Sequence, residues 1–201
     1  MENRGQAGWH DGDGGIEVAN ERDVWYPGAR RLPSPNQDAR PEGEEISLLV
    51  IHGISLPPGE FGGPWIDALF ANRLDPAAHP YFREIAHLRV SAHLLIDREG
   101  RLTQYVPFDR RAWHAGRSRF GDREACNDFS IGIELEGTDT IPYTDAQYAR
   151  LAEVTRWLMR RYPALGRERI VGHCHIAPDR KTDPGSAFDW GRYRAMLEGV
   201  A

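Results

Sequence analysis

Eight histidines are spread along the chain, and two of them stand where a metal site can form. His52 and His173 each close a predicted strand, and each is followed by irregular chain carrying glycine or proline, where functional groups tend to collect. A single histidine is more often a surface or core residue than a ligand, so position distinguishes these two. The full set is His10, His52, His79, His87, His93, His114, His173 and His175.

A third ligand is needed, and the residues offer two choices. A catalytic zinc takes three nitrogen, oxygen or sulfur ligands from the protein and keeps a fourth position for water. Asp183 follows His173 across a loop that Pro178 and Pro184 stiffen. His175 lies two residues after His173, so on an extended segment both side chains point the same way. Spacing alone leaves both Asp183 and His175 open as the partner of the two histidines.

Three further residues carry charges that could serve in acid–base or electrostatic catalysis. Glu134 and Glu136 lie on the polar side of the predicted strand SIGIELE. A carboxylate there is either a solvent-facing edge or a general base beside a metal site. Lys181 is the single lysine among 25 basic residues. Codon bias explains most of that imbalance, but a compact ammonium suits a tight site better than the planar guanidinium of arginine.

The elements that must position these residues alternate between strands and helices. The run ISLLVI is typical of a strand buried on both faces, and residues 91–107 predict a hairpin. Thr144 and Gln147 form a capping box at the start of an amphipathic helix that extends to residue 162. Asp189 is expected to cap a last helix. We therefore expect an α/β fold with a single domain, in which helices flank a mixed central β-sheet.

Length and composition set the domain organisation. A chain of 201 residues fits one domain with a sizeable core. Residues 1–23 are polar, acidic and glycine-rich, and we interpret them as an N-terminal extension of a domain that comprises residues 24–201. Four prolines between residues 27 and 41 predict an extended segment on the domain surface.

Composition also excludes several classes of partner. The formal net charge of -5 shows no basic excess, so nucleic-acid binding is not expected. No apolar run reaches the roughly 20 residues that a membrane span needs. The N-terminus has no apolar stretch typical of a secretory signal, so we expect a cytoplasmic protein, and a monomer. In a reducing compartment Cys126 and Cys174 are expected to remain free thiols.

Six stretches together resemble one protein family. In chain order they are RRLPSPNQDARP, LLVIHGISLPPGEFGGPWIDALF, IAHLRVSAHLLID, QYVPFDRRAWHAG, CNDFSIGIELEGTD and GHCHIAPDRKTDPG. They are similar to the zinc-dependent N-acetylmuramoyl-L-alanine amidases, a family that includes phage amidases and peptidoglycan recognition proteins. The resemblance is to its cytosolic members and covers about residues 25–195. It implies the amidase fold of that family.

The resemblance implies a role for each candidate residue. One zinc ion per chain is held by His52, His173 and Asp183, which decides against His175. Glu134 takes the general-base position, and Lys181 takes the position that stabilises an oxyanion.

The resemblance also implies a substrate. It is a small muropeptide with 1,6-anhydro-N-acetylmuramic acid, met in the cytosol during peptidoglycan recycling, and Arg89 and Trp113 are implied contacts. Two positions depart from the family pattern, which often has asparagine in place of Gly53 and arginine in place of Ala125. The alternatives are a non-catalytic peptidoglycan-fragment sensor and an envelope amidase that acts on the intact wall.

Overall fold

The computed structural model describes residues 24–198, so the extension predicted for residues 1–23 lies outside the described residues. Its strands are β1 (Arg30–Arg31), β2 (Gln37–Ala39), β3 (Leu48–Ile54), β4 (Leu94–Ile96), β5 (Leu102–Gln104), β6 (Arg110–Ala112), β7 (Arg119–Phe120), β8 (Arg123–Glu124), β9 (Ser130–Glu136) and β10 (Ile170–Gly172). Six of them form one sheet in the order β1, β5, β4, β9, β3, β10. The β4–β5 hairpin is antiparallel and the other neighbours are parallel, which confirms the predicted mixed sheet.

The two longest strands, β3 and β9, lie side by side in the middle of the sheet. They pair in parallel over their whole length, and His52 is directly opposite Glu134. The prediction that His52 ends its strand is wrong, because this pairing continues to Ile54. A Cβ on Gly53 would lie 2.4 Å from the hydroxyl oxygen of Tyr143, so the strand continues through glycine where a larger residue would need Tyr143 to move.

Helices cover both faces of the sheet. They are α1 (Trp65–Phe70), α2 (Phe82–Ile85), α3 (Asp145–Arg161), α4 (His173–Ile176) and α5 (Trp190–Glu198). Helices α3 and α5 bury one face in a core that includes Ile133, Leu151 and Tyr193. Helices α1 and α2 pack on the other face around Leu95 and Tyr105. This arrangement confirms the predicted α/β class.

The local predictions for the longer helices are confirmed. The hydroxyl of Thr144 accepts the backbone N–H of Gln147 and the Gln147 side chain accepts that of Thr144, so α3 begins with a capping box. A carboxylate oxygen of Asp189 accepts the backbone N–H of Arg192 at the start of α5.

The segment from residue 27 to 41 is less irregular than predicted. It contributes β1 to the edge of the main sheet and pairs β2 with β6. Cys126 and Cys174 are free thiols. No helix within residues 24–198 is long and apolar enough to cross a membrane.

Candidate metal centre and active site

Strand alternation directs His52 and Glu134 to one side of the sheet. Successive side chains of a strand point to opposite faces. Leu49 and Ile51 pack in the core under α3, so His52 points to the opposite face. Glu134 alternates in the same way with Ile131 and Ile133, which belong to that core. The parallel register therefore brings an imidazole and a carboxylate together across adjacent strands.

His173 and Asp183 come from the chain that follows β10. His173 is the first residue of α4, and Asp183 lies at the far end of the next loop. The backbone N–H of Cys174 donates to the carbonyl of Asp183 at 3.0 Å. The Tyr143 hydroxyl donates to the carbonyl of Pro184, also at 3.0 Å. These two bonds fold the loop back so that Asp183 faces the sheet.

The ligand atoms of three side chains converge on one point. His52 Nδ1 lies 3.0 Å from His173 Nδ1, and each of these nitrogens lies 3.2 Å from Asp183 Oδ2. Ligand atoms placed about 2.0–2.1 Å from a tetrahedral zinc are separated by about 3.3 Å, so this triangle fits the ion. Two imidazoles and a carboxylate are also donors that zinc prefers.

His175 does not join this group. The prediction that it shares an extended segment with His173 is wrong, because both residues lie in the short helix α4. His175 Nδ1 instead accepts the backbone N–H of Gly172 at 2.9 Å, and its ring packs 5.5 Å from that of Trp190. Among residues 24–198, the metal-competent group consists of His52, His173 and Asp183.

Glu134 is a buried carboxylate with one free oxygen. The interpretation as a solvent-facing edge is wrong, because β9 is a central strand and Glu134 is only 9% exposed. Its Oε2 has no hydrogen-bond partner within the described residues. Burial raises the pKa of Glu134 well above its usual range, and the nearby charge of Asp183 adds to this, whereas Lys181 opposes it. A carboxyl group in this state holds a proton easily.

Charges in the metal-binding group also depend on its burial. Burial lowers the pKa of His52 to about 4, although its hydrogen bond to Asp183 opposes this shift. Burial alone would raise the pKa of Asp183, but hydrogen bonds with His173 and His52 lower it well below its usual range. Neutral imidazoles beside an anionic carboxylate are the protonation states in which these groups bind a metal.

The three metal-binding residues, Glu134 and Lys181 line one cavity. Its volume is about 290 Å³, and its apolar wall includes Tyr81, Ile85 and Leu88. Cavities of about 580 and about 650 Å³ lie elsewhere, but neither contains a convergent ligand group. We therefore take the smaller cavity as the candidate active site. The residues that carry its charge are His52, Glu134, His173, Lys181 and Asp183.

The structure brings Trp113 to this cavity but not the guanidinium of Arg89. Trp113 lines the cavity, and its indole N–H donates to Asp38 at 3.1 Å. The Arg89 guanidinium donates to backbone carbonyls of residues 86–88. Of the two positions that depart from the family pattern, Gly53 lines the cavity and Ala125 does not.

Two further histidines beside the metal-binding group were not singled out in the sequence: His93 is buried, and His114 is half-buried in the wall of the cavity. His114 Nδ1 lies 2.8 Å from His52 Nε2, and His93 packs beyond it with its ring 5.9 Å from that of His114. Burial lowers the pKa of both well below the usual range, so both are neutral. The only signal in the sequence was the position of His114 directly after Trp113.

The known proteins that this chain resembles in sequence are amidases. A family model described as N-acetylmuramoyl-L-alanine amidase matches residues 42–186. Over 173 residues the chain is 68% identical to the 1,6-anhydro-N-acetylmuramyl-L-alanine amidase AmpD of Salmonella typhimurium strain SL1344, which covers 86% of this chain and 92% of that protein.

Solved structures show the same fold. A crystal structure of a selenomethionine AmpD derivative has a TM-score of 0.85 at 66% identity, covering 87% of this chain and 97% of that one. AmiD from Escherichia coli, in complex with the substrate anhydro-N-acetylmuramic acid-L-Ala-D-γ-Glu-L-Lys, has a TM-score of 0.55 at 27% identity, covering 78% of this chain and 60% of that one. The chain therefore belongs to the N-acetylmuramoyl-L-alanine amidase family and, within it, to the enzymes similar to AmpD.

Proposed function

We propose that this chain is a zinc-dependent hydrolase of the amide between 1,6-anhydro-N-acetylmuramic acid and L-alanine. The observation that carries the proposal is the triangle of His52, His173 and Asp183 with a free carboxylate oxygen of Glu134 in the same cavity. The substrate named for AmpD of Salmonella typhimurium supports the choice of the anhydro sugar.

The proposed metal site uses both imidazoles through Nδ1 and one carboxylate oxygen. When bound there, zinc lowers the pKa of a coordinated water toward about 7 and polarises the carbonyl of the scissile amide. Asp183 contributes a negative charge that reduces the net charge of the site. His52 is neutral there, because burial lowers its pKa to about 4.

Glu134 is the proposed general base. Its unpartnered Oε2 takes a proton from the attacking water as the water oxygen bonds to the amide carbon. The raised pKa of this buried carboxyl lets it keep that proton until the carbon–nitrogen bond breaks. The proton then passes to the alanine nitrogen, which leaves as an amine. One side chain thus serves as base and then as acid, which contributes typically 10²–10⁴-fold to such reactions.

Lys181 is the proposed electrostatic stabiliser of the oxyanion. It lines the same cavity, and its positive charge acts on both Glu134 and His52. Its ammonium makes no ion pair within residues 24–198, so it is available to a developing negative charge on the substrate. Removing one comparable donor costs about 3 kcal/mol of transition-state stabilisation.

The remaining cavity wall suits a sugar ring with an attached peptide. Trp113 offers an aromatic surface with its polar edge fixed to Asp38, so we propose that it packs against the anhydro-muramyl ring. Arg89 lies between Leu88 and Val90, which both line the cavity. We propose that its guanidinium turns from the backbone carbonyls toward a peptide carboxylate when substrate binds.

Product analysis tests the proposed reaction. Purified protein with a measured zinc content is incubated with anhydro- and non-anhydro-muropeptides, and the products are identified by mass spectrometry. We expect one zinc per chain and release of an alanine-terminated peptide, fastest from the anhydro substrate. Binding without cleavage would indicate a sensor, and comparable turnover of intact sacculi would indicate an envelope amidase. The cytoplasmic location, the role in recycling and the monomeric state stay predictions.

A further inference from the structure

We propose that His114 is a positioning residue that keeps the Nδ1 lone pair of His52 directed at the metal. The proposal rests on the proposed zinc function and adds a residue that none of the ligand or catalytic roles includes. His114 is half-buried in the wall of the cavity and contacts His52 on the side away from the metal-binding triangle. The contact joins the second nitrogen of His52, Nε2, to His114 Nδ1 at 2.8 Å.

A chain of three hydrogen-bonding groups leads from the ligand into the protein interior. His52 Nε2 faces His114 Nδ1, and His114 Nε2 lies 3.0 Å from the hydroxyl oxygen of Ser130. A neutral imidazole has one N–H and one acceptor nitrogen. If one ring donates to the next, the next must accept at that nitrogen and carry its proton on the other, so the tautomers of the two rings are coupled. The hydroxyl of Ser130 can donate or accept, so it matches either orientation.

The two orientations differ in what they offer a metal. In the first, His52 Nε2–H donates to His114, His114 Nε2–H donates to Ser130, and His52 Nδ1 carries a lone pair. In the second, every proton is shifted to the other nitrogen of its ring, and His52 Nδ1–H donates to Asp183. Only the first orientation binds a metal ion. A hydrogen bond on the second nitrogen typically fixes the tautomer of a metal-bound histidine, and its loss typically costs 10–100-fold in affinity.

Neighbouring groups hold the His114 ring in the place this requires. A Cβ on Gly132 would lie 2.5 Å from the ring, so glycine at this position of β9 is what admits it. The side-chain oxygen of Asn127 accepts the backbone N–H groups of His114 and Ala115 at 3.2 and 2.8 Å. Asn127 therefore fixes the backbone of His114, and the close approach to Gly132 fixes the position of its ring.

Two substitutions of His114 distinguish its hydrogen bond with His52 from its packing against the neighbouring side chains. In His114→Asn, the side-chain oxygen takes the place of Nδ1 and can still accept from His52. In His114→Leu, the acceptor is lost and an apolar group fills the site. His93→Leu is the matched control, because it makes the same change at a neighbouring histidine, one that accepts the Gly132 N–H but makes no hydrogen bond to His52.

Zinc affinity is measured by competition with a chromophoric chelator, and folding of each variant is checked by circular dichroism. We expect His114→Leu to weaken zinc binding 10–100-fold, and His114→Asn and His93→Leu to stay within about threefold of the original chain. Imidazole ¹⁵N shifts of zinc-loaded protein should show a protonated Nε2 on His52 in the original chain.

Three results are decisive. Unchanged affinity in His114→Leu would overturn the proposal, and so would equal losses in His114→Leu and His114→Asn. An original chain that binds no zinc would instead overturn the proposed function.

Discussion

Replacement of Glu134 by glutamine should stabilise the metal-free protein and remove its activity. The carboxylate is 9% exposed, and its Oε2 has no hydrogen-bond partner within residues 24–198. Leaving a buried polar group unpaired costs about 1–3 kcal/mol, and more when the group is charged. Glutamine keeps the shape of the side chain but carries no charge. A residue retained at such a cost is expected at a functional site.

The size and the sign of the effect follow from this burial. A gain of about 1–2 kcal/mol in the free energy of unfolding corresponds to an increase of about 2–8 °C in Tm for a chain of this length. Because folding raises the pKa of Glu134, the folded state keeps a proton that the unfolded chain releases. The stability of the unsubstituted protein therefore falls as pH rises from the unfolded pKa to the folded one. Glu134→Gln should gain little near about pH 4 and most near about pH 8.

Glu136→Gln provides a matched control on the same strand face. The Glu136 carboxylate accepts the backbone N–H of Gly62 at 2.6 Å and that of Arg98 at 3.2 Å. Its replacement should destabilise the protein by about 1.5–3 kcal/mol, the value typical of hydrogen bonds to charged groups.

Thermal unfolding of chelator-treated protein tests the stability of both variants, and turnover is measured on the zinc-loaded forms. Glu134→Gln should lose about 10²–10⁴-fold in kcat and Glu136→Gln far less. The reasoning fails if Glu134→Gln lowers Tm at pH 8 or keeps its turnover.

Three other predictions concern the ligands, the cavity wall and the fold. Asp183→Ala should remove stoichiometric zinc measured by atomic absorption, whereas His175→Ala should retain it; the opposite pattern would contradict the ligand assignment. Asp38→Ala removes the hydrogen-bond acceptor of the Trp113 indole N–H, so in steady-state kinetics KM should rise several-fold with little change in kcat. An unchanged KM would contradict the role of the ring as a substrate contact. Thr144→Ala removes the cap of α3 and should lower stability by about 1 kcal/mol in denaturant titrations, with zinc content unchanged.

Strands and helix starts near the site could be predicted from the sequence better than strand ends and the conformation of the connecting segments. The alternation in SIGIELE and the capping box at Thr144 depend on neighbouring residues, and both are present in the structure. The end of strand β3 was misplaced, since its continuation past His52 depends on pairing with β9, which is remote in sequence. The choice between Asp183 and His175 was open for a similar reason. It depends on whether the chain after Gly172 is extended or helical, and four residues carry too little periodicity to show this.

The hydrogen-bonding partners of the site were beyond the reach of sequence reasoning. His114 and Ser130 are 16 residues apart, and His114 lies 62 residues from His52, so no local pattern connects them. The ring of His114 lies against Gly132, and no neighbouring residue in the sequence indicates that contact. Tyr143 was not singled out, although its hydroxyl fills the space beside Gly53 and holds the carbonyl of Pro184.

The site is divided between a rigid half and a half that depends on loop contacts. His52 and Glu134 lie on paired central strands, so the pairing fixes the backbone positions of ligand and base relative to each other. Asp183 instead lies on a loop that is held by single hydrogen bonds, such as the one from the Tyr143 hydroxyl to the carbonyl of Pro184. Loss of such a bond should therefore loosen metal binding while the base remains in place.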